Sequence, residues 1–244
     1  MEKIAVTCLG SGAALGQGRF WSSLLVDGTI LLELPPTSVP QLFRLGKDPT
    51  AIRHVFVSHF HADACFGLPF FLLLFCYLYE RRETLYVVGP RGIEEKANEL
   101  YDLAWPGLRK SGVVPRVPLA FVEVKDEGRF RAGDLAFEAV RVEHFHMDAL
   151  GFRFPCRGRT VAFTGDTGDG PQLDRLLAGA DVVIAEYTHT AGPECEGHLG
   201  TAAITRLVER ARRSGTTVLA THLGGDPPRI DGLIVARDGE TYLV

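Results

Sequence analysis

The sequence predicts an α+β fold in which two packed β-sheets are covered by helices on both outer faces. Three observations support this: a hairpin signal occurs in each half of the chain, helical and strand-like patterns alternate between them, and 46% of the 244 residues are hydrophobic. A chain of this length and composition can bury a substantial core. No linker, repeat or low-complexity tract divides it, so we expect a single domain over residues 1–244.

The first half predicts a β-meander followed by alternating helices and strands. Asp27-Gly28 is a typical hairpin turn between two apolar runs. The most apolar stretch, residues 66–79, is too short to span a bilayer and contains Pro69 near its start, which favours a buried helix. The expected strands are 4–9, 22–26, 29–33, 53–58 and 84–88, and the expected helices are 40–45, 67–79 and 93–103.

The second half predicts a further hairpin and an alternation of strands with helices. The segment 126–134 is expected to be an ordinary turn, and the arginines of the helix at 201–213 are expected to form a solvated face. The expected strands are 119–124, 135–142, 151–154, 160–164, 181–185 and 216–220.

Charge and cysteine content exclude some classes of function. A net charge of −4 and a pI near 6.1 give no overall positive field for nucleic acid. The N-terminal residues lack the basic start and long apolar middle of a secretory signal, so we expect a cytoplasmic protein without membrane attachment. An odd cysteine count without a C-x-x-C pair predicts free thiols at Cys8, Cys65, Cys76, Cys156 and Cys195.

The segment Ser58-His59-Phe60-His61-Ala62-Asp63 follows an apolar run and contains imidazoles and a carboxylate at alternate positions. Residues two apart on an extended chain point the same way, so His59, His61 and Asp63 are expected to converge at the strand end. Imidazole and carboxylate groups are common ligands of divalent metals. The segment therefore predicts part of a metal site.

Three more polar residues each come just after an apolar, strand-like run: His144, Asp166 and His222. Binding sites in layered α/β architectures collect at strand ends, because loops there are accessible and the strands hold them rigidly. The agreement of four strand ends predicts a single metal centre. His54 does not fit this pattern, and we expect it to be structural.

Several motifs together carry a family resemblance: Leu9–Gly12, H-x-H-x-D at 59–63, Phe163–Thr167, Glu186–Thr188, Gly197–Leu199, Thr221–Leu223 and Ala236–Glu240. They resemble the metallo-β-lactamase superfamily of hydrolases, and within it the ribonuclease Z and cyclic-phosphate phosphodiesterase branch. The resemblance covers nearly the whole chain. It implies a four-layer αββα sandwich with a metal centre at one sheet edge, and it implies that residues 236–240 form the closing strand.

The resemblance also implies one or two divalent metal ions per chain, with zinc expected first and manganese or iron as alternatives. The implied ligands are His59, His61 and His144 for the first ion, Asp63 and His222 for the second ion, and Asp166 as the bridge between them. His146 is an alternative third ligand of the first ion. Its neighbour His144 is preferred, because its distance from Gly151-Phe152 matches some family members.

One ligand of the family signature is missing, because the final histidine position of H-x-H-x-D-H is occupied by Ala64. A methyl group cannot coordinate a metal, so the second ion should bind more weakly. The sequence leaves three outcomes open. The position stays empty, it takes a harder ion that accepts carboxylates and water, or a solvent molecule completes it.

The implied chemistry is hydrolysis through a metal-bound hydroxide, since two cations that share a water lower its pKa and stabilise the leaving oxygen. Asp63 would accept a hydrogen bond from that water and orient it. By the same resemblance, His198 would protonate the leaving group or help to bind phosphate, with Glu186 either orienting it or merely ending a strand. The expected substrate is a small or nucleotide-like phosphodiester, and the sequence allows a homodimer.

Two other functions compete with this hypothesis. One is a thioester or lactone hydrolase that uses one metal, and the other is a degenerate domain that binds a metal or metabolite without catalysis. Ala64 is the residue that raises the second alternative. Ribonuclease Z carries a tRNA-gripping arm that has no counterpart in this sequence, so tRNA is not the expected substrate.

Overall fold

The computed structural model describes residues 2–191 and 196–244. Within these residues the chain forms two seven-stranded sheets, with helices in the connections between strands. The strands of the first sheet are β1 (Ala5–Gly10), β2 (Ser23–Val26), β3 (Ile30–Leu32), β4 (His54–Phe56), β5 (Leu85–Pro90), β6 (Leu119–Val124) and β14 (Thr241–Leu243). The strands of the second sheet are β7 (Gly128–Ala132), β8 (Leu135–Val142), β9 (Ala149–Cys156), β10 (Arg159–Phe163), β11 (Val182–Tyr187), β12 (Thr217–Leu223) and β13 (Leu233–Val235).

Both sheets are mixed in the same way: the strands at one end of each sheet pair antiparallel, and the strands at the other end pair parallel. The first sheet has the order β14-β1-β2-β3-β4-β5-β6 and is parallel from β3 to β6. The second has the order β13-β12-β11-β10-β9-β8-β7 and is parallel from β10 to β13. Parallel neighbours need a crossover connection, and helices provide most of these here. The helices are α1 (Ser38–Arg44), α2 (Ala62–Cys65), α3 (Leu68–Tyr77), α4 (Ile93–Ala104), α5 (Pro171–Leu177) and α6 (Thr201–Ser214).

Three apolar clusters hold the layers together, as the period of two in the strands requires. In β4, Phe56 belongs to the cluster between the sheets, whereas Val55 belongs to the cluster that the first sheet shares with α3 and α4. In β10, Val161 lies in the cluster between the sheets and Ala162 lies in the one shared with α5 and α6. The α+β, four-layer αββα prediction is therefore confirmed.

Phe56 lies at the centre of the core and contacts three other rings. Its ring centroid is 5.2 Å from that of Phe137, 4.9 Å from that of Phe152 and 5.6 Å from that of Phe154. We expect Phe56→Ala to lower the free energy of unfolding by about 3–5 kcal/mol, measured by urea denaturation. The half-exposed Phe43 is the control, since Phe43→Ala should change stability by less than about 1 kcal/mol. Equal losses in the two variants would contradict this account of the core.

Some local predictions were wrong. Residues 126–134 are not an ordinary turn, because β7 pairs with β8 in a hairpin there. Residues 236–240 are the turn before β14 and not a closing strand. Helices α2 and α5 were not expected.

The structure bears on two further predictions, the free cysteines and the lack of a membrane-spanning helix. Cys8, Cys65, Cys76 and Cys156 are free, as predicted, and Cys195 lies outside the described residues. Over residues 2–191 and 196–244, every helix falls short of the length and apolar character that a membrane crossing requires. The predicted cytoplasmic location stays a prediction.

Candidate metal centre

The predicted site residues come from strand ends of both sheets and meet at one edge of the sandwich. His59 and His61 lie in the loop after β4. His144 and Asp166 follow β8 and β10, while His222 lies near the end of β12. Among the described residues, these side chains form overlapping groups whose ligand atoms lie within 4.8 Å of one another.

Asp63 reaches the site by a different route from the one expected. It lies in the first turn of α2 rather than on an extended chain, because the backbone turns into the helix directly after His61. The helix start directs Asp63 toward Asp166 and His222, away from the two histidines before it. The H-x-H-x-D segment therefore serves both halves of the site.

The first group consists of His59, His61 and His144. The ring centroids of His59 lie 4.6 Å from those of both partners, and His144 Nε2 is 3.1 Å from His61 Nδ1. His59 and His144 are each only 1% exposed. Three imidazoles that converge with nitrogen atoms facing one another are the typical arrangement of a zinc site.

Hydrogen bonds on the far sides of the rings orient these imidazoles. His144 Nδ1 donates to the carbonyl of Gly197 at 2.8 Å, and His59 Nδ1 is 2.8 Å from the Ser58 hydroxyl. The remaining nitrogen of each ring then faces the centre. His59 Nε2 is buried and has no hydrogen-bond partner in the part of the chain that the structure describes. A buried, unpaired nitrogen between two other imidazoles fits a metal ion.

The second group consists of Asp63, Asp166 and His222. His222 Nε2 is 3.3 Å from Asp63 Oδ2 and 3.2 Å from Asp166 Oδ2, while its Nδ1 is 2.9 Å from the Thr188 hydroxyl. Asp166 Oδ2 also lies 3.7 Å from His59 Nε2 in the first group. Asp166 is therefore the side chain that contacts both groups, as a bridging ligand would.

The histidine pKa values differ between the two groups, because burial dominates in the first group and carboxylate charge dominates in the second. Burial lowers the pKa of His144 to about 4 and lowers the pKa of His59 well below its usual value. Burial would also lower the pKa of His222, but the carboxylates of Asp166 and Asp63 raise it to about 9. The first group thus presents neutral imidazoles, whereas the metal-free second group holds a protonated histidine between carboxylates.

This difference predicts two pH dependences of metal binding. At the second position, affinity should rise up to about tenfold per pH unit below about pH 9, because the metal must displace the proton of His222. At the first position, affinity should change little above about pH 6, since the pKa of His144 is already about 4. Titration of metal-free protein against a zinc-binding dye at several pH values measures both. The same pH dependence at the two positions would contradict the assignment.

A second pair of titratable residues lies beside the metal-binding groups. His198 Nδ1 is 2.8 Å from Glu186 Oε1, and the His198 ring centroid lies 4.8 Å from that of His144 and 5.6 Å from that of His222. Glu186 is 1% exposed and also accepts hydrogen bonds from the backbone N–H groups of Thr167 and Thr188. Burial lowers the pKa of His198, but the hydrogen bond and charge of Glu186 together with the charge of Asp166 outweigh it, and the net pKa is raised.

A cleft of about 230 Å³ opens over these residues, and its lining includes Asp63, His198, His222 and the loop residues Ala13 to Leu15. A larger cavity of about 530 Å³ lies at the opposite ends of the strands. None of the six predicted metal ligands lines this larger cavity. The cleft over the metal-binding groups is therefore the candidate active site.

Three supporting residues were not singled out from the sequence. Ser58 and Gly197 are hydrogen-bonded to the predicted ligands His59 and His144, and Thr188 bonds to Glu186, to His198 and to His222. Each adjoins or belongs to a segment with a predicted site residue, but nothing in its own residue type indicates this role. His146 is exposed and lies outside the groups formed by the described residues, whereas His144 is inside them.

Two of the arginines of α6 are paired with carboxylates. Arg206 pairs with Asp169, and Arg210 pairs with Asp174. These partners neutralise charge that a phosphate backbone would otherwise contact. His54, which was predicted to be structural, lies away from the site and is hydrogen-bonded to the carbonyl of Ala132 at 2.9 Å.

Comparisons with known proteins agree with this geometry. A family model described as the beta-lactamase superfamily domain matches residues 24–223. A ribonuclease Z from Salinibacter ruber is 29% identical over 200 residues, which span 76% of this chain but only 60% of that protein. Human tRNase Z, short form, superposes with a TM-score of 0.75 at 20% identity and covers 98% of both chains. A diphosphatase from the PhnP family superposes with a TM-score of 0.69 at 19% identity and covers 99% of this chain and 98% of its own. With its two-sheet sandwich and its cluster of histidines and aspartates at one edge, the chain belongs to the metallo-β-lactamase superfamily.

Proposed function

We propose that the protein is a metal-dependent hydrolase that cleaves a small or nucleotide-like phosphodiester. The observation that carries the proposal is the convergence, in one cleft, of two metal-binding groups with a histidine that a buried glutamate orients. A metal held by the two groups would activate the attacking water, and the histidine could protonate the leaving group. A structural metal site needs only the first of these.

The proposed metal ligands are those predicted from the sequence: His59, His61 and His144 for one ion, Asp63 and His222 for the other, and Asp166 between them. A divalent metal held by these residues would lower the pKa of a bound water and offset negative charge on the scissile group.

Asp63 is proposed to accept a hydrogen bond from the attacking water and to orient it. Its side chain is 11% exposed and lines the cleft, so it reaches solvent-accessible space while it contacts His222. Its pKa is lowered, because the hydrogen bond and charge of His222 outweigh the effect of burial. Asp63 is therefore ionised near neutral pH in the metal-free protein, and a carboxylate can accept a hydrogen bond.

His198 is the proposed proton donor to the leaving oxygen. Its Nδ1 is held by Glu186 at 2.8 Å and lies 3.2 Å from the Thr188 hydroxyl, which leaves its other nitrogen for the cleft. The raised pKa of His198 keeps a larger fraction protonated at neutral pH than in water. A general acid requires this protonation state.

The shape of the cleft supports a small substrate with an apolar or aromatic part. A volume of about 230 Å³ is below the usual range for drug-sized ligands. Leu15 is 91% exposed on one wall, and Phe145 is 55% exposed with its ring centroid 5.6 Å from that of His198. Phe145 does not line the cleft itself but lies beside it, next to His198.

The relatives favour a second candidate, the processing of tRNA, because ribonuclease Z and tRNase Z are among the similar proteins. The connection between β7 and β8 is short, and two of the α6 arginines, Arg206 and Arg210, are paired with carboxylates. Both observations argue for the smaller substrate.

An assay panel on one preparation tests the proposal. Metal-free protein is reconstituted with zinc or manganese and given a chromogenic phosphodiester, a nucleoside 2′,3′-cyclic phosphate, a thioester, a lactone and a tRNA precursor. Turnover of the diesters supports the proposal, and faster turnover of the tRNA precursor supports the second candidate. Activity only on the thioester or lactone, or on none of the substrates, would overturn it.

A further inference from the structure

The missing ligand at Ala64 leaves a small polar cavity beside the second metal position. The Ala64 side chain is buried, with only 3% of the residue exposed. The cavity has a volume of about 10 Å³, close to the minimum that one water molecule requires. Its lining includes Asp63, His222 and two acidic residues outside the proposed ligand set, Glu33 and Glu186. Glu186 is already hydrogen-bonded to His198 at 2.8 Å, which leaves Glu33 as the carboxylate next to Ala64.

Glu33 is placed against Ala64 by the backbone. It follows β3 directly, and the N–H of the next residue, Leu34, donates to the carbonyl of Ala64 at 2.7 Å. Glu33 has a φ of +58°, a left-handed conformation that costs free energy for a residue with a side chain. Such strained positions are concentrated at functional sites, and His222 has a similar φ of +52°.

The Glu33 carboxylate is buried and only partly used. The residue is 5% exposed, and its two oxygens accept from the backbone N–H of Ser58 at 3.1 and 3.2 Å. Each carboxylate oxygen can accept more than one hydrogen bond, so acceptor capacity remains on the cavity side. Burial raises the pKa of Glu33 well above its usual value, so the charged carboxylate needs a cation nearby to offset its desolvation.

Glu33 is not a direct ligand in this conformation. It is absent from every group of ligand atoms within 4.8 Å that the described residues form, although it shares a cavity with Asp63 and His222. The hydroxyls of Ser22 and Thr221 also reach the cavity and are 2.8 Å apart. The cavity thus offers the polar partners that a bound water requires.

We infer that Glu33 replaces the missing imidazole by holding a water molecule in the Ala64 cavity as a ligand of the second metal ion. The inference rests on the proposed function, because it takes Asp63, Asp166 and His222 as ligands of that ion. In this arrangement the carboxylate accepts a hydrogen bond from the water, and its negative charge adds to the attraction for the metal. Glu33 is a positioning residue, since it acts on the metal through the water.

The test is the zinc affinity of each position rather than activity alone. Metal-free wild type, Glu33→Gln and the control Asp181→Asn are titrated with zinc in competition with a dye, and bound zinc is counted by elemental mass spectrometry. Asp181 also accepts a backbone N–H through its carboxylate, from Thr160 at 2.7 Å, but lies outside the site. We expect Glu33→Gln to weaken the second zinc about 10- to 100-fold, with no change at the first zinc and no change in the control.

A double variant shows whether Glu33 and Ala64 act on the same position. In Glu33→Ala/Ala64→His, the smaller residue at 33 leaves room for an imidazole, and tight binding of the second zinc should return. Equal second-zinc affinity in wild type and Glu33→Gln, or a single zinc in the wild type, would overturn the inference. Turnover of a diester by the wild type in the same preparations would then still stand as support for the proposed function.

Discussion

The Asp63→Ala variant should lose hydrolytic activity by a factor of about 10²–10⁴ and keep its fold. Asp63 lines the cleft and contacts His222, so its removal takes away a proposed ligand and the acceptor that orients the attacking water. The measurement is the initial rate on a chromogenic phosphodiester with zinc or manganese added. Circular dichroism on the same samples reports whether the fold is kept.

Asp174 offers a matched control for this variant. It is also an aspartate in the first turn of a helix, α5, but it lies outside the cleft and pairs with Arg210. Asp174→Ala should retain the parent rate. An Asp63→Ala protein that is folded and fully active would contradict the proposed mechanism.

The His198→Ala variant should discriminate between substrates by their leaving groups. A nitrophenolate leaves without a proton, so its release should change little, whereas release of an alkoxide or a ribose hydroxyl should slow about 10²–10⁴-fold. Glu186 and Thr188 hold His198 through the same nitrogen, so the imidazole is oriented before the substrate binds. The comparison of rates on the two substrate types is its own control for folding.

The pH dependence of the rate on substrates that release an alkoxide or a ribose hydroxyl is a further test of His198 as the proton donor. Since the pKa of His198 is raised, the wild-type rate should stay high at neutral pH and fall as the pH rises through that pKa. Removing the carboxylate charge in Glu186→Gln should move this fall to lower pH, because the hydrogen-bonding carboxylate is what raises the pKa of His198. Equal slowing of both substrate types in His198→Ala would show that His198 does not protonate the leaving group.

Much of the architecture could be predicted from the sequence, because the parallel strands are buried on both faces and their residues are almost all apolar. β11 and β12 are examples, since β11 is fully buried and β12 nearly so. The strand ends then mark the site, because a histidine or aspartate directly after such a run stands out. The prediction of the six ligand positions needed only this rule and a family resemblance, and their ligand roles remain a proposal.

The elements that were missed have weak patterns for physical reasons. β7 carries arginines at its exposed positions 129 and 131, so only part of its sequence resembles a strand. α2 has only four residues, too few for a helical period, and tertiary contacts decide its conformation. α5 begins with Pro171, which is a helix-start signal that could have been recognised.

Glu33 shows what a sequence pattern can and cannot reveal. It follows an apolar strand just as the ligand residues do, so the same rule marks it as a residue at the site edge. Its left-handed backbone and its hydrogen bonds to Ser58 depend on the fold around it. The prediction of a single domain over residues 1–244 also stays a prediction.

The ligand set is divided between the two sheets, and this division has a thermodynamic consequence. The proposed ligands His59, His61 and Asp63 belong to the connection that follows β4. Of the other proposed ligands, His144 and Asp166 follow strands of the second sheet, and His222 lies near the end of β12 in that sheet. A metal ion bound to both sets is a cross-link that exists only in the folded chain. By mass action, free metal at about 1,000 times its Kd would stabilise the chain by about 4 kcal/mol. Metal supply would thereby change the stability of the folded chain, independently of any substrate.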